Sequence, residues 1–196
     1  MTSTQEYYEK NAKQFIKETL DKEMHTQYAL FERHIQKPSA ILDAGCGSGR
    51  DSLYFKGKGH QVTAFDNSQQ MCSYASGLLG QEVLHLDFEA LDFQNCFDAI
   101  WASASLLHIS KEQMPDILQK LVRAFKDKGT LYASFKYGEN EFTKEGRFFN
   151  AYTEESFTEL IKDTPFTCEE IVILQDTRPQ REDESWLNAI LTIDKS

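Results

Sequence analysis

The stretch Ala40 to Asp51, reading A-I-L-D-A-G-C-G-S-G-R-D, restricts what this chain can fold into more than any other. A short apolar run, Ile41 and Leu42, ends at Asp43, and glycines follow at every second position, Gly45, Gly47 and Gly49. A segment of helical pattern, Arg50 to Lys58, comes next, so the order is strand, tight turn, helix. Glycine is needed where the backbone takes positive φ or where a ligand lies against bare backbone. Such a turn also aims the unpaired N–H groups of the helix start at whatever sits in front of it. The spacing excludes two common nucleotide loops. A dinucleotide fingerprint, G-x-G-x-x-G, wants its third glycine where this chain has Arg50, and G-x-x-x-x-G-K-[ST] is absent.

From Ala40 onward, strand and helix patterns alternate. Strands are predicted at Ala40–Ala44, Gln61–Phe65, Glu82–Leu86, Phe97–Ala102, Gly129–Lys136, Thr167–Gln175 and Trp186–Asp194. Helices are predicted at Gly49–Lys58, Ser68–Leu79, Lys111–Ala124 and Thr153–Lys162. Alternation implies parallel strands joined by crossover helices. The last two strands have no helix between them and should form an antiparallel hairpin. The expectation is an α/β, doubly wound, seven-stranded sheet, mostly parallel, with helices on both faces. Before it, Tyr8, Ala12, Phe15, Ile16 and Leu20 fall at helical spacing, then Met24, Tyr28, Phe31 and Ile35, until Lys37-Pro38 stops the pattern. Residues 1–38 are therefore read as two helices covering a pocket, and 39–196 as the core of one domain.

Three strand ends carry chemistry. Asp66 closes the second strand, about 20 residues after the glycine turn, where doubly wound sheets grip a ribose, with Asn67 beside it. Asp87 and Phe88 follow the third strand and suit an adenine, the carboxylate accepting from the amino group and the ring covering the face. Trp101 ends the fourth strand, and Ser103, Ser105 and His108 follow it. Ligands in open α/β sheets bind outside the carboxyl ends of the strands, so these positions converge on one crevice.

Composition limits the partners. The 196-residue chain has a net charge of −10, which argues against a polyanion, since nucleic-acid affinity rests on Lys and Arg. The cysteines, Cys46, Cys72, Cys96 and Cys168, are scattered, without zinc spacing or the density of a disulfide framework. The start is polar, without a signal-peptide pattern, and no stretch is apolar enough to span a bilayer. A cytoplasmic protein that binds no metal, no membrane and no nucleic acid is expected.

Motif after motif, residues from about Ala40 to Lys136 resemble the core of class I S-adenosylmethionine-dependent methyltransferases, whose first motif has the form D-x-G-x-G-x-G. The stretches W-A-S-A-S-L-L-H-I, L-Y-A-S-F-K and G-R-F-F are also similar to a subgroup of small stand-alone members that includes tellurite-resistance-type proteins. The resemblance implies a Rossmann-like fold and S-adenosylmethionine as cofactor. It implies Asp43, Gly45, Gly47 and Gly49 at the methionine end, Asp66 at the ribose, Asp87 with Phe88 at the adenine, and Trp101 lining the pocket. The Asp/Asn-Pro-Pro-aromatic signature of amino methyltransferases is missing; W-A-S-A stands in its place.

The function expected is direct in-line methyl transfer to a small acceptor, uncharged or anionic. His108 is the candidate general base because its ordinary pKa lies near 6.5. Tyr7, Ser103, Ser105, Arg147, Tyr152 and Arg178 are candidate acceptor contacts, the arginines suiting an anion. The leading helix, with Tyr7 and Tyr8, is a candidate lid, and Phe15 reads as a packing residue. The alternatives are a non-catalytic S-adenosylmethionine or S-adenosylhomocysteine binding module, and a dinucleotide oxidoreductase whose fingerprint fails at the third glycine.

Overall fold

A computed structural model describes residues 3–176, 181 and 183–195. Helices α1 (Ser3–Thr19) and α2 (His25–Glu32) lead into β1 (Ala40–Ala44). Then come α3 (Arg50–Gly57), β2 (Gln61–Asp66), α4 (Gln69–Leu79), β3 (Leu84–His85), β4 (Phe97–Ala102), α5 (Met114–Ala124) and β5 (Phe125–Tyr137). An insertion follows, made of β6 (Phe142–Lys144), β7 (Arg147–Phe149) and β8 (Ala151–Tyr152). The chain ends with α6 (Glu154–Ile161), β9 (Phe166–Gln175) and β10 (Ser185–Asp194).

The main sheet has the order β3-β2-β1-β4-β5-β10-β9. β1 to β5 pair in parallel, and β10 runs antiparallel between β5 and β9. The doubly wound seven-stranded sheet with its antiparallel end is therefore present. One strand is added: β8 pairs with β5 through Lys136–Ala151 and Tyr137–Tyr152. The insertion also holds a separate hairpin, in which Lys144 faces Arg147 across Glu145 (φ 54°) and Gly146 (φ 76°). Two consecutive positive φ values are what a two-residue turn needs to match strand twist.

Side chains alternate across the strands, and the two faces bury different helices. Leu42, Ile100, Ala102, Leu131 and Ala133 pack against α5 and α6 through Leu118, Leu121 and Phe157. Ile41, Ala99, Trp101 and Tyr132 pack against α2 and α3 through Tyr28, Phe31 and Phe55. Helix α1 belongs to neither layer. Its Ala12 and Ile16 form a satellite cluster with Met71 of α4, which leaves α1 lying across the carboxyl ends of the strands. Only the first of the two leading helices reaches the crevice by its full length; α2 is sheet-covering core. The order reverses between β1 and β4, which puts the ligand crevice of such a sheet at their carboxyl ends. Among the described residues no helix is long and apolar enough to cross a membrane.

Candidate functional site

The three turn glycines all have positive φ, 78°, 53° and 81°, but for different reasons. A Cβ on Gly45 would stand 2.5 Å from Ser105 Cβ, and one on Gly49 would stand 3.0 Å from Ala75 Cβ. Both are excluded by protein packing. A Cβ on Gly47 would meet only the Phe15 ring, at 4.0 Å, so this glycine faces open space. The turn is tied to β2: Gly45 and Cys46 N–H donate to the Phe65 carbonyl at 3.0 and 2.9 Å. Gly47 N–H donates to Asp66 Oδ2 at 2.8 Å, and Asp66 Oδ1 accepts from Ser68 N–H at 2.9 Å.

In front of the turn lies a cavity of 590 Å³, lined among others by Gly45, Gly47, Asp66, Asn67, Asp87, Phe88, Ser103, Ser105, His108 and Arg147. That size and its position at a topological switch point are those of a small-ligand site. Helix α1 roofs it, with Thr4, Gln5, Tyr8, Phe15 and Thr19 in its lining. Hydrogen bonds hold the helix to both rims. On the β2 side, Gln5 Nε2 donates to the Asn67 carbonyl at 2.9 Å and Ser68 Oγ to Glu9 at 2.7 Å. On the insertion side, Phe148 N–H donates to Thr4 Oγ1 at 2.9 Å. At its end, Arg50 donates to the Thr19 carbonyl at 2.9 Å. Phe15 thus lines the cavity as well as packing edge-on against Tyr8.

His108 sits in a short turn after β4, against α1. Its Nδ1 is 2.6 Å from the Phe148 carbonyl and its Nε2 is 2.9 Å from the Tyr8 hydroxyl. A carbonyl only accepts, so Nδ1 carries the proton and Nε2 accepts from Tyr8. Burial lowers the imidazole to about 4, with the nearby Arg147 charge adding to it. Burial raises Tyr8 to about 12 against the opposing pull of Arg147. Both groups are neutral at neutral pH. Arg147 is 5% exposed and lies over the Tyr7 ring at 4.2 Å.

Several candidates fall elsewhere. Trp101 is fully buried on the α2–α3 face, stacked on Tyr132 at 3.9 Å, with its Nε1–H donated to Asp51 at 2.8 Å. Strand alternation turns it away from the cavity. Asp43 is 2% exposed beneath the turn and accepts from Ser52 Oγ at 2.6 Å. Burial, then the neighbouring Asp51, pushes its carboxyl up to about 8. It braces the start of α3 and is not a lining residue, and Gly49 likewise serves the α3–α4 contact. Tyr152 is core, packed on Phe135 and Phe157, its hydroxyl accepting from Asn150 at 3.0 Å. Tyr7 backs Arg147 from outside the lining. Arg178 lies outside the described residues.

The lining also holds residues the sequence did not single out, among them Lys136, Trp186 and Arg181. Lys136 lies 4.0 Å over the Trp186 ring and bonds Glu184. Lys136 and Trp186 are register partners on β5 and β10, far apart in sequence, with no local motif to mark them. Among the described residues no group of three or more His, Cys, Asp or Glu could hold a metal ion.

Gly47, Asp66, Asp87 and Phe88 line the same cavity. The family described as methyltransferase domain matches residues 41–129. A relative in Haemophilus influenzae named "Probable S-adenosyl-L-methionine-dependent methyltransferase TehB" is 28% identical over 92 residues, 44% of this chain and 32% of that one. A malonyl-[acyl-carrier protein] O-methyltransferase of Buchnera aphidicola is 32% identical over 133 residues, 66% of this chain and 53% of that one. The chain thus spans roughly a third to a half of the length of these relatives. Among solved structures, the Burkholderia thailandensis 1,6-didemethyltoxoflavin-N1-methyltransferase, bound to 1,6-didemethyltoxoflavin and S-adenosylhomocysteine, superposes with a TM-score of 0.79 at 21% identity. It is covered over 84% of its chain by 96% of this one. TehB from Haemophilus influenzae superposes at 0.73 with 17% identity, over 97% of this chain and 67% of its own. The sequence motifs, the sheet order and these likenesses converge: the chain is similar, in a methyltransferase-domain segment and in fold, to S-adenosylmethionine-dependent methyltransferases.

Proposed function

We propose that this chain transfers the methyl group of S-adenosylmethionine to a small-molecule acceptor. The observation that carries the reading is the roofed cavity: one helix, hydrogen-bonded to both rims, encloses the Gly47–Asp66 end together with Tyr8, His108 and Arg147. The net charge of −10 repels polyanions. The Burkholderia neighbour, whose bound ligand is small, lends support by likeness.

When bound, the cofactor supplies a methyl group activated by its sulfonium. The chain's residues bind, orient and exclude water. Gly47 offers backbone without a side chain. Asp66, already fixed by two N–H donors, keeps lone pairs for ribose hydroxyls. Asp87, which caps the following turn through Ala90 N–H at 2.8 Å, stands beside Phe88 for the adenine. Ser103 and Ser105 border the acceptor space, and Ser105 Oγ has no hydrogen-bond partner among the described residues. Positioning of this kind accounts for roughly 7–11 kcal/mol of barrier. His108 acts here as a positioning residue. With Nδ1–H committed to Phe148 and its basicity lowered, it holds the Tyr8 hydroxyl in the cavity wall and takes no proton at neutral pH.

Calorimetry with S-adenosylhomocysteine tests the binding half. We expect saturable one-to-one binding that Tyr8→Phe leaves nearly unchanged and Asp66→Ala weakens. No binding to the intact protein would sink the reading.

A further inference from the structure

Arg147 of the cavity lining carries a buried donor that the described residues leave unpaired. Its guanidinium carbon lies over the Tyr7 ring at 4.2 Å and over the Phe149 ring at 5.3 Å. Cation–π contacts hold it there. Nη2 donates to Glu145 Oε2 at 2.7 Å, while Nε is buried with no partner. Nε and Nη2 form one edge of the fork, the edge that takes a carboxylate through two parallel hydrogen bonds. Glu145 fills half of it. Glu145 also sits at the tip of a two-residue turn, with φ 54° and 56% of its side chain exposed. It can swing into solvent without uncovering any core.

We propose that the acceptor carries a carboxylate, which displaces Glu145 and takes the Nε/Nη2 edge of Arg147 as a bidentate pair. Glu145 then acts as an internal placeholder that keeps the arginine in place while the site is empty. The surroundings favour an organic acid over a bare inorganic ion, because Leu107, Ile109 and Phe149 give this end of the cavity an apolar wall. The carboxylates in the described lining are Asp51, Asp66, Asp87 and Glu89. Asp51 is held by Arg50, Tyr28 and Trp101. Asp66 ends β2, and Asp87 and Glu89 follow β3, so all three lie on the proposed cofactor side and leave the Arg147 end to an anion. The proposal rests on the methyltransferase reading, since it names the acceptor of that same site.

The test is calorimetry on the full chain saturated with S-adenosylhomocysteine, titrated with benzoate and with benzamide. Benzamide matches the shape and lacks the charge. Benzoate should bind about tenfold or more tighter than benzamide, and Arg147→Lys should remove about tenfold of its affinity by breaking the fork. Glu145→Gln should tighten benzoate several-fold by removing the competitor. Neither variant should alter affinity for S-adenosylhomocysteine, which is read in the same samples. Absent benzoate binding, equal affinity for the two probes, or a benzoate affinity that neither substitution moves would overturn the proposal while the cofactor titration stands. Failure of the cofactor titration itself would remove both.

Discussion

Gly47→Val separates a glycine that serves a ligand from glycines that serve the fold. At φ 53° the backbone is left-handed, which costs an L side chain about 1–2 kcal/mol. No protein atom other than the Phe15 ring, at 4.0 Å, lies near the new Cβ. Stability should therefore fall by only that amount, or about 2–8 °C in Tm for a domain of this size. The valine methyls project into the space in front of Asp66, where a cofactor's backbone contact belongs. Overlap of that kind costs about 1–3 kcal/mol, roughly five- to 150-fold in affinity. Gly45→Ala should do the reverse. Its Cβ would meet Ser105 Cβ at 2.5 Å, so it destabilises the turn first. The assay is thermal melting alongside S-adenosylhomocysteine calorimetry on both variants. A Gly47→Val protein with wild-type affinity would show that the turn does not lie against the ligand.

On the binding mode proposed above, Asp66→Ala removes the ribose acceptor, and a lost hydrogen bond to a charged group is worth about 1.5–3 kcal/mol; affinity for S-adenosylhomocysteine should drop about ten- to 150-fold by calorimetry. Trp101→Phe deletes the 2.8 Å donor to buried Asp51, so Tm should fall by several degrees, while the same titration stays at the wild-type value because the indole lies outside the cavity. His108 has a folded pKa of about 4, lowered from 6.5 by burial. The unfolded chain binds its proton more readily, so the contribution is complete above pH 6.5 and is lost as pH falls toward 4. That is an upper bound of about 3 kcal/mol. In denaturant titrations at pH 4.5 and 7.5, His108→Gln should lose less stability on acidification than the parent; equal losses would contradict the buried neutral imidazole.

The fold was legible because its signals are local. The glycine turn, the acid ending β2 and the alternation of strand and helix patterns each sit within a few residues. The two-residue β8 is too short to show any alternation. The turn between β6 and β7 is encoded by Glu145-Gly146, a dipeptide that does not advertise two positive φ values as Asn-Gly does. Trp101 shows a different failure. Its position at a strand end points to the crevice, but its parity with Ala99 points to the opposite face, and parity decides where a side chain goes. The Tyr8–His108 pair spans 100 residues, and the Lys136–Trp186 pair depends on which strands become neighbours. Neither contact exists until the sheet order does. Asp43 was placed at the methionine end by its motif, yet its partner Ser52 lies nine residues on, one turn into α3, where it holds the helix start instead.

The most direct measurement of the central claim is methyl transfer from S-adenosylmethionine, labelled on its methyl group, into a fractionated cell extract with the full chain added. We expect label in the small-molecule fraction, dependent on the protein and reduced in Gly47→Val at cofactor concentrations below saturation. Label confined to protein or RNA, or none above the no-enzyme control in a protein that binds S-adenosylhomocysteine, would contradict transfer to a small acceptor.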